Sequence, residues 1–501
     1  MSDYILALDL GTTGNRAILF DKAGQIAGQA YKELTQYYPH PGWLEHEPDE
    51  IWQDTLHCIQ QVIKNTGISA QQIAALGLTV QRETCLLWDK ITGQPLHNAI
   101  VWQDRRTAPL CHQLAELGHA EEIQSRTGLV LDAYFSATKL AWLMDRLNQT
   151  HPEIERNRIL AGTIDTWILW NLTGRKVHAT DHSNASRTLL MNLIQQEWDN
   201  RLLELFGIPG EWLPQIQPSL SEFGTTDSQL FGAEIPITAV FGDQQAALFA
   251  HGCDRPGTVK CTYGTGSFLI AQTGKTAVRS QNQMLTTIAW TRRHNGQIEA
   301  NYALEGAMFT TGACIQWLRD GLGLIDSAPE TETLAQQVPD TAGVCFVPAL
   351  SGLGAPHWDM TARGAFLGLT GGVRREHLVR ATLEAIAYQV KEVVDAINQD
   401  SPTPINLLKV DGGACRNNFL MQFQADVLGI PVERPTIQEA TAQGAAFGAG
   451  LSVGFWSDYQ ELVTSRECDR TFHPGTGAAS AQAHFLQWQK AVERVKYWGT
   501  K

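Results

Sequence analysis

Two segments half a chain apart have the same pattern, and this repetition limits the possible folds more than any other feature. Each segment, 4–20 and 256–271, is an apolar run, a glycine-rich turn and a second apolar run. The turns are Gly11-Thr12-Thr13-Gly14 and Gly264-Thr265-Gly266. Short apolar runs joined by such turns are typical of paired strands. We therefore predict an internal duplication in which each half opens on a β-hairpin.

The composition of these turns suits an anionic ligand. Backbone N–H groups and threonine hydroxyls in a tight turn can bind phosphate oxygens. Asp9 directly precedes the first turn and could hold Mg²⁺ directly or through water. A plain hairpin turn is the alternative, because Gly and Asn are the residues that hairpins need.

A third stretch lies near the middle of the chain, where a strand is predicted to give way to a helix. Residues 237–241 are apolar, Gly242 interrupts them, and 246–250 has helix-forming composition. Asp243 and Gln244 therefore follow a strand end, the edge where ligands bind in open α/β sheets. A helix N-cap is the alternative role for Asp243.

Two further predicted strands, 74–80 and about 98–102, end in polar residues that could line the same cleft. Arg82 and Glu83 follow the first, and Trp102 ends the second. A structural salt bridge is the usual explanation for the charged pair, and core packing is the usual one for the tryptophan.

The second half predicts several helices and one more glycine-rich turn. The helices are expected over 304–319, 376–397, 417–428 and about 439–451. A short strand, 407–410, is followed by Asp411-Gly412-Gly413-Ala414. Because glycines let a purine or phosphate approach the backbone, this strand–turn–helix order favours a nucleotide site, and a plain turn is the alternative.

Length and composition set the remaining limits. A chain of 501 residues, 43% hydrophobic and 18% charged, predicts two or more globular domains. Net charge −14 argues against nucleic acid or an anionic membrane as partner. Nine scattered cysteines without a C-x-x-C pair, and an N-terminus that is neither signal peptide nor membrane span, favour a reduced cytoplasm.

In this order the motifs resemble those of a known fold. Asp9-x-Gly11-Thr12-Thr13, Gly264-Thr265-Gly266 and Asp411-Gly412-Gly413-Ala414 match the phosphate-1, phosphate-2 and adenosine motifs of the actin-like ATPase fold. Tyr134-x-Ser136-x-x-Lys139-x-x-Trp142 and Gly364-Ala-Phe-Leu-Gly368 are similar to blocks of the FGGY carbohydrate kinases. The resemblance implies an α/β fold of two related actin-like (ribonuclease H-like) domains, 1–250 and 251–501, flanking a central nucleotide and substrate cleft.

Further blocks resemble the branch of that family that phosphorylates glycerol. They include Gln81-Arg-Glu-Thr, Asn98-Ala-Ile-Val-Trp-Gln, Gly242-Asp-Gln-Gln-Ala-Ala-Leu and Tyr302-Ala-Leu-Glu-Gly-Ala. The resemblance implies a cytoplasmic, homo-oligomeric enzyme that transfers phosphate from ATP, with Mg²⁺, to glycerol, giving sn-glycerol 3-phosphate. The nearest alternative is a family member acting on a pentulose or another small polyol.

The same resemblance assigns the site residues. Asp243 would be the general base, and Asp9 and Asp243 the metal-binding residues. Glycerol would contact Arg82, Glu83, Tyr134, Asp243 and Gln244, with Trp102 and Phe268 as apolar walls. The nucleotide would contact Thr12, Thr13, Gly14, Arg16, Thr265, Gly312, Gln316, Gly413 and Asn417. Gly14 stands where family members often carry serine, so only its backbone N–H is expected to take part.

Two alternatives come from other classes of protein. A movement- or assembly-linked ATPase of the same fold would not need a polyol pocket, and a sugar-sensing pseudokinase would not need Asp9, Asp243 and Thr265. The presence of these residues favours a working kinase.

One regulatory expectation also rests on the resemblance. Some bacterial family members are inhibited by fructose 1,6-bisphosphate, which binds a glycine-rich basic loop before the catalytic strand. The matching segment, 226–236, has one glycine and carries Asp227 and Glu234, and no Lys or Arg occurs between Arg201 and Arg255. Because a bisphosphate needs charge-assisted donors, we expect insensitivity to this inhibitor.

Overall fold

The fold is built around two large sheets that share a five-strand order. A computed structural model describes residues 3–464 and 466–499. The strands of the first half are Tyr4–Leu10 (β1), Gly14–Phe20 (β2), Ile26–Glu33 (β3), Glu45–His46 (β4), Ile73–Val80 (β5), Cys85–Asp89 (β6), Ala99–Ile100 (β7), Ile159–Thr163 (β8), Ala179–Asp181 (β9), Met191–Asn192 (β10), Glu197–Trp198 (β11), Gln215–Gln217 (β12) and Ile237–Gly242 (β13). Its helices are Pro48–Thr66 (α1), Ala108–Glu116 (α2), Ala120–Thr127 (α3), Ser136–Thr150 (α4), Ile164–Leu172 (α5), His182–Ala185 (α6), Asn200–Phe206 (α7), Ser228–Phe231 (α8) and Asp243–Ala250 (α9).

The second half adds fewer and longer elements. Its strands are Thr258–Tyr263 (β14), Ser267–Gly274 (β15), Leu285–His294 (β16), Gln297–Met308 (β17), Cys345–Val347 (β18), Ala365–Leu367 (β19), Leu407–Asp411 (β20), Val432–Pro435 (β21) and Cys468–Phe472 (β22). Its helices are Gly312–Gln316 (α10), Glu330–Gln336 (α11), Arg375–Asp400 (α12), Asn418–Leu428 (α13), Ala440–Ser452 (α14), Tyr459–Thr464 (α15) and Ala478–Val495 (α16).

The predicted duplication is confirmed by the order and direction of the strands. The first sheet runs β13-β5-β1-β2-β3, and the second contains β21-β20-β14-β15-β17 in the matching positions. In both, the first three strands are parallel and the next two pairings are antiparallel. Each half opens on its predicted hairpin, β1–β2 and β14–β15.

Two helices lie between the sheets, and each packs on strands of the other half. The helix α9 ends the first half but packs on β14, β15 and β16, whereas α14 comes from the second half and packs on β1, β5 and β13. A buried apolar cluster joins these helices to both sheets, with Phe241 on one side and Ile270 on the other. Burying this apolar surface stabilises the two halves against each other.

One predicted helix is wrong. Residues 304–308 belong to strand β17, and only the short helix α10 and a π-helical turn, Trp317–Gly321, follow. The Ala- and Leu-rich sequence has helical propensity, but β17 pairs with both β15 and β16, and this tertiary pairing outweighs local preference. The predicted strand 98–102 is likewise reduced to Ala99–Ile100. Helices at 376–397, 417–428 and 439–451 are confirmed within a few residues.

Within residues 3–464 and 466–499, no helix is both long and apolar enough to cross a membrane. All nine cysteines are free thiols, and seven of them are buried.

Candidate active site

A cavity of about 430 Å³ lies where the two hairpin turns face the end of β13. The predicted site residues that line it are Asp9, Thr12, Thr13, Arg82, Glu83, Trp102, Tyr134, Asp243, Gln244, Thr265, Phe268 and Gln316. Sequence positions from 9 to 316 therefore meet in one cleft, as the carboxyl edges of the parallel strands in two facing sheets allow.

Asp243 is the first residue of α9, and its carboxylate is not the helix cap. Gly242 occupies the N-cap position, and no side chain caps the helix there. The Asp243 Oδ1 atom lies 3.2 Å from Arg82 Nε and accepts the Gln244 backbone N–H at 2.7 Å. The side chain is partly exposed and lines the cavity, so its carboxylate can be reached from the cleft.

Arg82 is held by a carboxylate from the second half of the chain. Its two terminal nitrogens donate to Glu305 on β17, at 2.6 and 2.9 Å. Glu305 also accepts from Arg187 at 3.0 Å. Arg187 in turn donates to Glu83 at 2.7 Å. The neighbouring Arg82–Glu83 pair is looser, at 3.9 Å. The closer ion pairs are the three that join residues far apart in the sequence: Arg82–Glu305, Arg187–Glu305 and Arg187–Glu83.

The electrostatics of this network follow from its burial. Burial acts to raise the pKa of Glu305, but Arg187 and Arg82 outweigh it and hold that pKa at about 2. Burial raises the pKa of Glu83. Arg82 and Arg187 act in the opposite direction, but burial outweighs them. Two cations and two anions therefore neutralise one another next to Asp243, and removing one would leave an uncompensated buried charge.

Glu83 has a backbone conformation that is uncommon for its type. Its φ is 63°, in the left-handed region, and it lies in the turn between β5 and β6. The Ser136 hydroxyl donates to its carbonyl at 2.9 Å and fixes the turn. A non-glycine residue in this region costs on the order of 1 kcal/mol, and such strain clusters at functional sites.

Aromatic rings line the cavity at the positions where the family resemblance implies apolar walls. Trp102 makes edge-to-face contacts with Tyr134 and with Phe268, each at 5.6 Å between centroids. Burial raises the pKa of Tyr134, so its phenol stays protonated. Because Arg82 donates to the phenol oxygen at 3.3 Å, the phenol proton is left to point at a ligand.

A hydrogen bond links the aromatic wall to the first phosphate turn. The Trp102 indole N–H donates to the Thr12 hydroxyl at 2.8 Å. The indole is a donor only, so the hydroxyl must accept there and keeps its own proton for another acceptor. This geometry turns Thr12 into a donor toward the cleft.

Asp9 is suited to a cation. It is the buried penultimate residue of β1, and Thr441 donates to its Oδ2 at 2.9 Å. Burial raises the pKa of Asp9 to about 6, with Arg16 acting in the opposite direction. Among residues 3–464 and 466–499, no group of three or more His, Cys, Asp or Glu could hold a metal. Mg²⁺ usually takes one or two carboxylates plus phosphate oxygens, so Asp9 and Asp243 fit this ion.

Five predicted nucleotide residues do not line the cavity: Gly14, Arg16, Gly312, Gly413 and Asn417. Arg16 pairs with Glu439, and both side chains are partly exposed. The Asn417 side chain caps α13 by accepting from Leu420 N at 2.9 Å, which is a structural role. Their contacts to a nucleotide stay predictions.

The glycines in this group have packing reasons of their own. A Cβ on Gly14 would lie 2.5 Å from the Tyr31 ring, and one on Gly312 would lie 2.7 Å from the Gly264 carbonyl. Gly413 has open space around it, which leaves room for a ligand to approach the backbone.

Sequence reasoning missed several residues of the site. Glu305 is hidden by the wrong helix prediction. Arg187 lies in a polar stretch, 181–187, that the sequence predicts as a loop without a role, whereas the structure forms the short helix α6 there and places Arg187 just after it. The sequence signal that could identify Glu305 as a site residue is its charge within an otherwise apolar run. Thr441, which joins α14 to Asp9, carried no signal.

Comparison with known proteins agrees with this geometry. Models of the FGGY family of carbohydrate kinases match the chain over residues 4–250, for the N-terminal domain, and 259–453, for the C-terminal domain. Glycerol kinase from Acaryochloris marina (strain MBIC 11017) is 68% identical over 99% of this chain and 99% of its own.

Solved structures give the same result. The crystal structure of Plasmodium falciparum glycerol kinase with ADP matches with a TM-score of 0.89 at 36% identity, over 98% of both chains. A ligand-bound xylulose kinase from Lactobacillus acidophilus matches with a TM-score of 0.87 at 21% identity, over 98% of both chains, and shares the fold. The predicted fold class is confirmed, and the chain belongs to the FGGY family of carbohydrate kinases.

Proposed function

We propose that this chain transfers the terminal phosphate of ATP to glycerol, giving sn-glycerol 3-phosphate and ADP. The observation that carries the proposal is the position of Asp243, in one cavity with the polyol-binding side chains and both Gly-Thr turns. The 68% identity to a glycerol kinase and the likeness to a glycerol kinase with ADP support it.

At the polyol end, charged and aromatic side chains would select a small hydroxylated molecule. Arg82, Glu83, Tyr134 and Gln244 offer hydrogen bonds, while Trp102 and Phe268 enclose the carbon chain. Identities of 68% and 36% to glycerol kinases, against 21% to a xylulose kinase, favour glycerol over the pentulose alternative.

Asp243 would act as the general base. As the glycerol oxygen bonds to the γ-phosphorus, the bond from that phosphorus to the ADP oxygen breaks, and the carboxylate accepts the hydroxyl proton. Arg82 Nε and Gln244 N both contact Oδ1, which leaves Oδ2 to receive the proton. The enzyme otherwise contributes positioning and charge neutralisation.

At the nucleotide end, Thr12, Thr13 and Thr265 would donate to phosphate oxygens. Asp9 and Asp243 would hold Mg²⁺, which when bound neutralises phosphate charge. The remaining nucleotide contacts would be Gly14, Arg16, Gly312, Gln316, Gly413 and Asn417.

The other predictions also stay proposals. They are a domain division at residue 250, a cytoplasmic location, a homo-oligomeric state, and insensitivity to fructose 1,6-bisphosphate. The segment 226–236 contains the short helix α8, and Asp227 is the N-cap of that helix. Its carboxylate keeps acidic charge where the inhibitor would bind.

The proposal is tested by measuring ADP release in a coupled assay with glycerol, xylulose, ribulose and no acceptor. We expect glycerol to give the highest kcat/KM and the acceptor-free reaction to be far slower. A preference for a ketose would establish the alternative substrate. Equal rates with and without an acceptor would instead indicate an ATPase.

A further inference from the structure

A buried lysine beside the cleft has no part in the mechanism above. Lys260 lies on β14 and is fully buried. Val259, Cys261 and Tyr263 on the same strand belong to the core of the second half. Because strand residues alternate between faces, Lys260 and Thr262 are on the opposite face, which α9 covers.

The ammonium group of Lys260 has two oxygen partners. Its Nζ donates to the Gln244 side-chain Oε1 and, at 2.7 Å, to the Thr262 hydroxyl. Burial lowers the pKa of Lys260, and the nearby carboxylates of Asp411 and Asp243 oppose this. Arg82 is the cation that adds to the effect of burial.

This contact fixes which end of the Gln244 amide faces the cleft. An ammonium group has three donors and no acceptor, so only the amide oxygen can face it. Gln244 lines the cavity that holds Asp243. Its NH₂ group is therefore directed away from Lys260, and without the lysine the two ends of the amide could exchange.

We propose that Lys260 is a positioning residue that fixes the Gln244 amide with its NH₂ group toward the polyol. This inference rests on the proposed function, in which Gln244 contacts glycerol. The polyol hydroxyl oxygen would then accept from Gln244 while Asp243 takes its proton. Lys260 thus contributes to recognition of a hydroxyl without touching the substrate.

The test is a double-mutant cycle with Lys260→Met and Gln244→Leu. We expect Lys260→Met to raise the glycerol KM about tenfold, the effect of one buried polar group left without its partner. The ATP KM is expected to stay within about twofold. Because the lysine acts through the amide, the double variant should have the glycerol KM of Gln244→Leu alone.

Lys409→Met is the matched control. Lys409 is paired in register with Lys260 on the neighbouring strand β20, and its Nζ donates to the His251 carbonyl at 2.8 Å. We expect its glycerol KM to stay within about twofold of wild type. If Lys260→Met does not fold, as judged by thermal melting, the same cycle is run with Lys260→Gln.

Several outcomes would overturn the inference. They are additive effects of the two substitutions on the glycerol KM, equal effects on the ATP and glycerol KM, or an effect no larger than that of Lys409→Met. An unchanged glycerol KM in Gln244→Leu would also overturn it, because the amide would then contact no polyol. Failure of the wild-type enzyme to phosphorylate glycerol would instead reject the proposed function itself.

Discussion

The two ends of the cleft, the proposed polyol end and the proposed nucleotide end, are built in different ways. At the polyol end, Arg82, Glu83, Arg187 and Glu305 are buried and bonded to one another. At the nucleotide end, Arg16 is partly exposed and bonded to Glu439, and several predicted contacts lie outside the cavity lining.

This difference bears on how each end meets its ligand. Rearranging buried charges is costly, so the polyol end presents one fixed set of donors and acceptors. A partly exposed ion pair is worth little, so Arg16 can exchange a carboxylate for a phosphate at small cost. Selectivity is therefore expected at the polyol end and adaptability at the nucleotide end.

The largest expected effect comes from the residue where the two ends meet. Asp243→Asn removes the proton acceptor but keeps the size of the side chain. Turnover should fall about 10²–10⁴-fold, the usual contribution of a general base, with glycerol and ATP binding nearly intact. Steady-state kinetics together with calorimetric titration of each ligand provide the check. Retention of more than about a third of kcat would exclude this role.

The fixed polyol end is tested next by Glu83→Ala. Its loss removes one of the two carboxylate partners of Arg187 and leaves only Glu305 to pair with both Arg187 and Arg82, so we expect the glycerol KM to rise at least about tenfold. Arg82→Ala should act in the same direction, while the ATP KM changes little. An unchanged glycerol KM in both variants would show that the network serves stability alone.

A pH dependence probes the nucleotide end. Burial raises the pKa of Asp9 to about 6, so protons compete with Mg²⁺ as the pH falls through 6, and the KM for MgATP should rise about tenfold between pH 7 and 5. In the free protein the same shift has the opposite consequence. A carboxyl whose folded pKa exceeds its unfolded value of 3.8 contributes stability below that value and loses it as the pH rises toward 6.

The matched variant for this prediction is Asp9→Asn. It should weaken MgATP binding at every pH and remove the dependence between pH 5 and 7. The check is to measure the KM for MgATP of the wild type and of Asp9→Asn across this range, with glycerol saturating. The same pH dependence in both proteins would assign the titration to another group.

The smallest effect is expected from the hydrogen bond between Trp102, at the polyol end, and Thr12, at the nucleotide end. Trp102→Phe keeps an aromatic wall but removes the indole donor to Thr12. Losing one such hydrogen bond should raise the ATP KM about two- to tenfold and leave the glycerol KM nearly unchanged. A larger change in the glycerol KM would mean that ring shape, rather than this hydrogen bond, is what matters.

The sequence predicted those parts of the site that local pattern encodes. The strand ends before Arg82 and before Asp243, and the two Gly-Thr turns, all lie in the cleft. Partners across the chain were not predictable, because nothing local to residue 305 indicates that it meets residues 82 and 187. The same holds for Lys260, whose partner Gln244 is on another element.

The error at 304–319 has the same origin. Alanine, leucine and methionine in 302–308 favour a helix locally, and pairing with the strands on either side outweighs that preference. Packing also requires glycine at position 14, because a Cβ there would lie 2.5 Å from the Tyr31 ring. The phosphate motif alone does not reveal this requirement.

The exchange of α9 and α14 between the halves has a consequence for how the chain can vary. A Cβ on Gly77 would lie 2.1 Å from the Ala445 carbonyl, and one on Gly444 would lie 1.9 Å from the Ala246 carbonyl. Main chain meets main chain there, so no side chain is present to yield. A single methyl group, outside the lining of the cavity, would push the two halves apart. Replacing one half of the chain by the same half of a relative is therefore constrained at this interface, because each half provides a helix that covers the sheet of the other half.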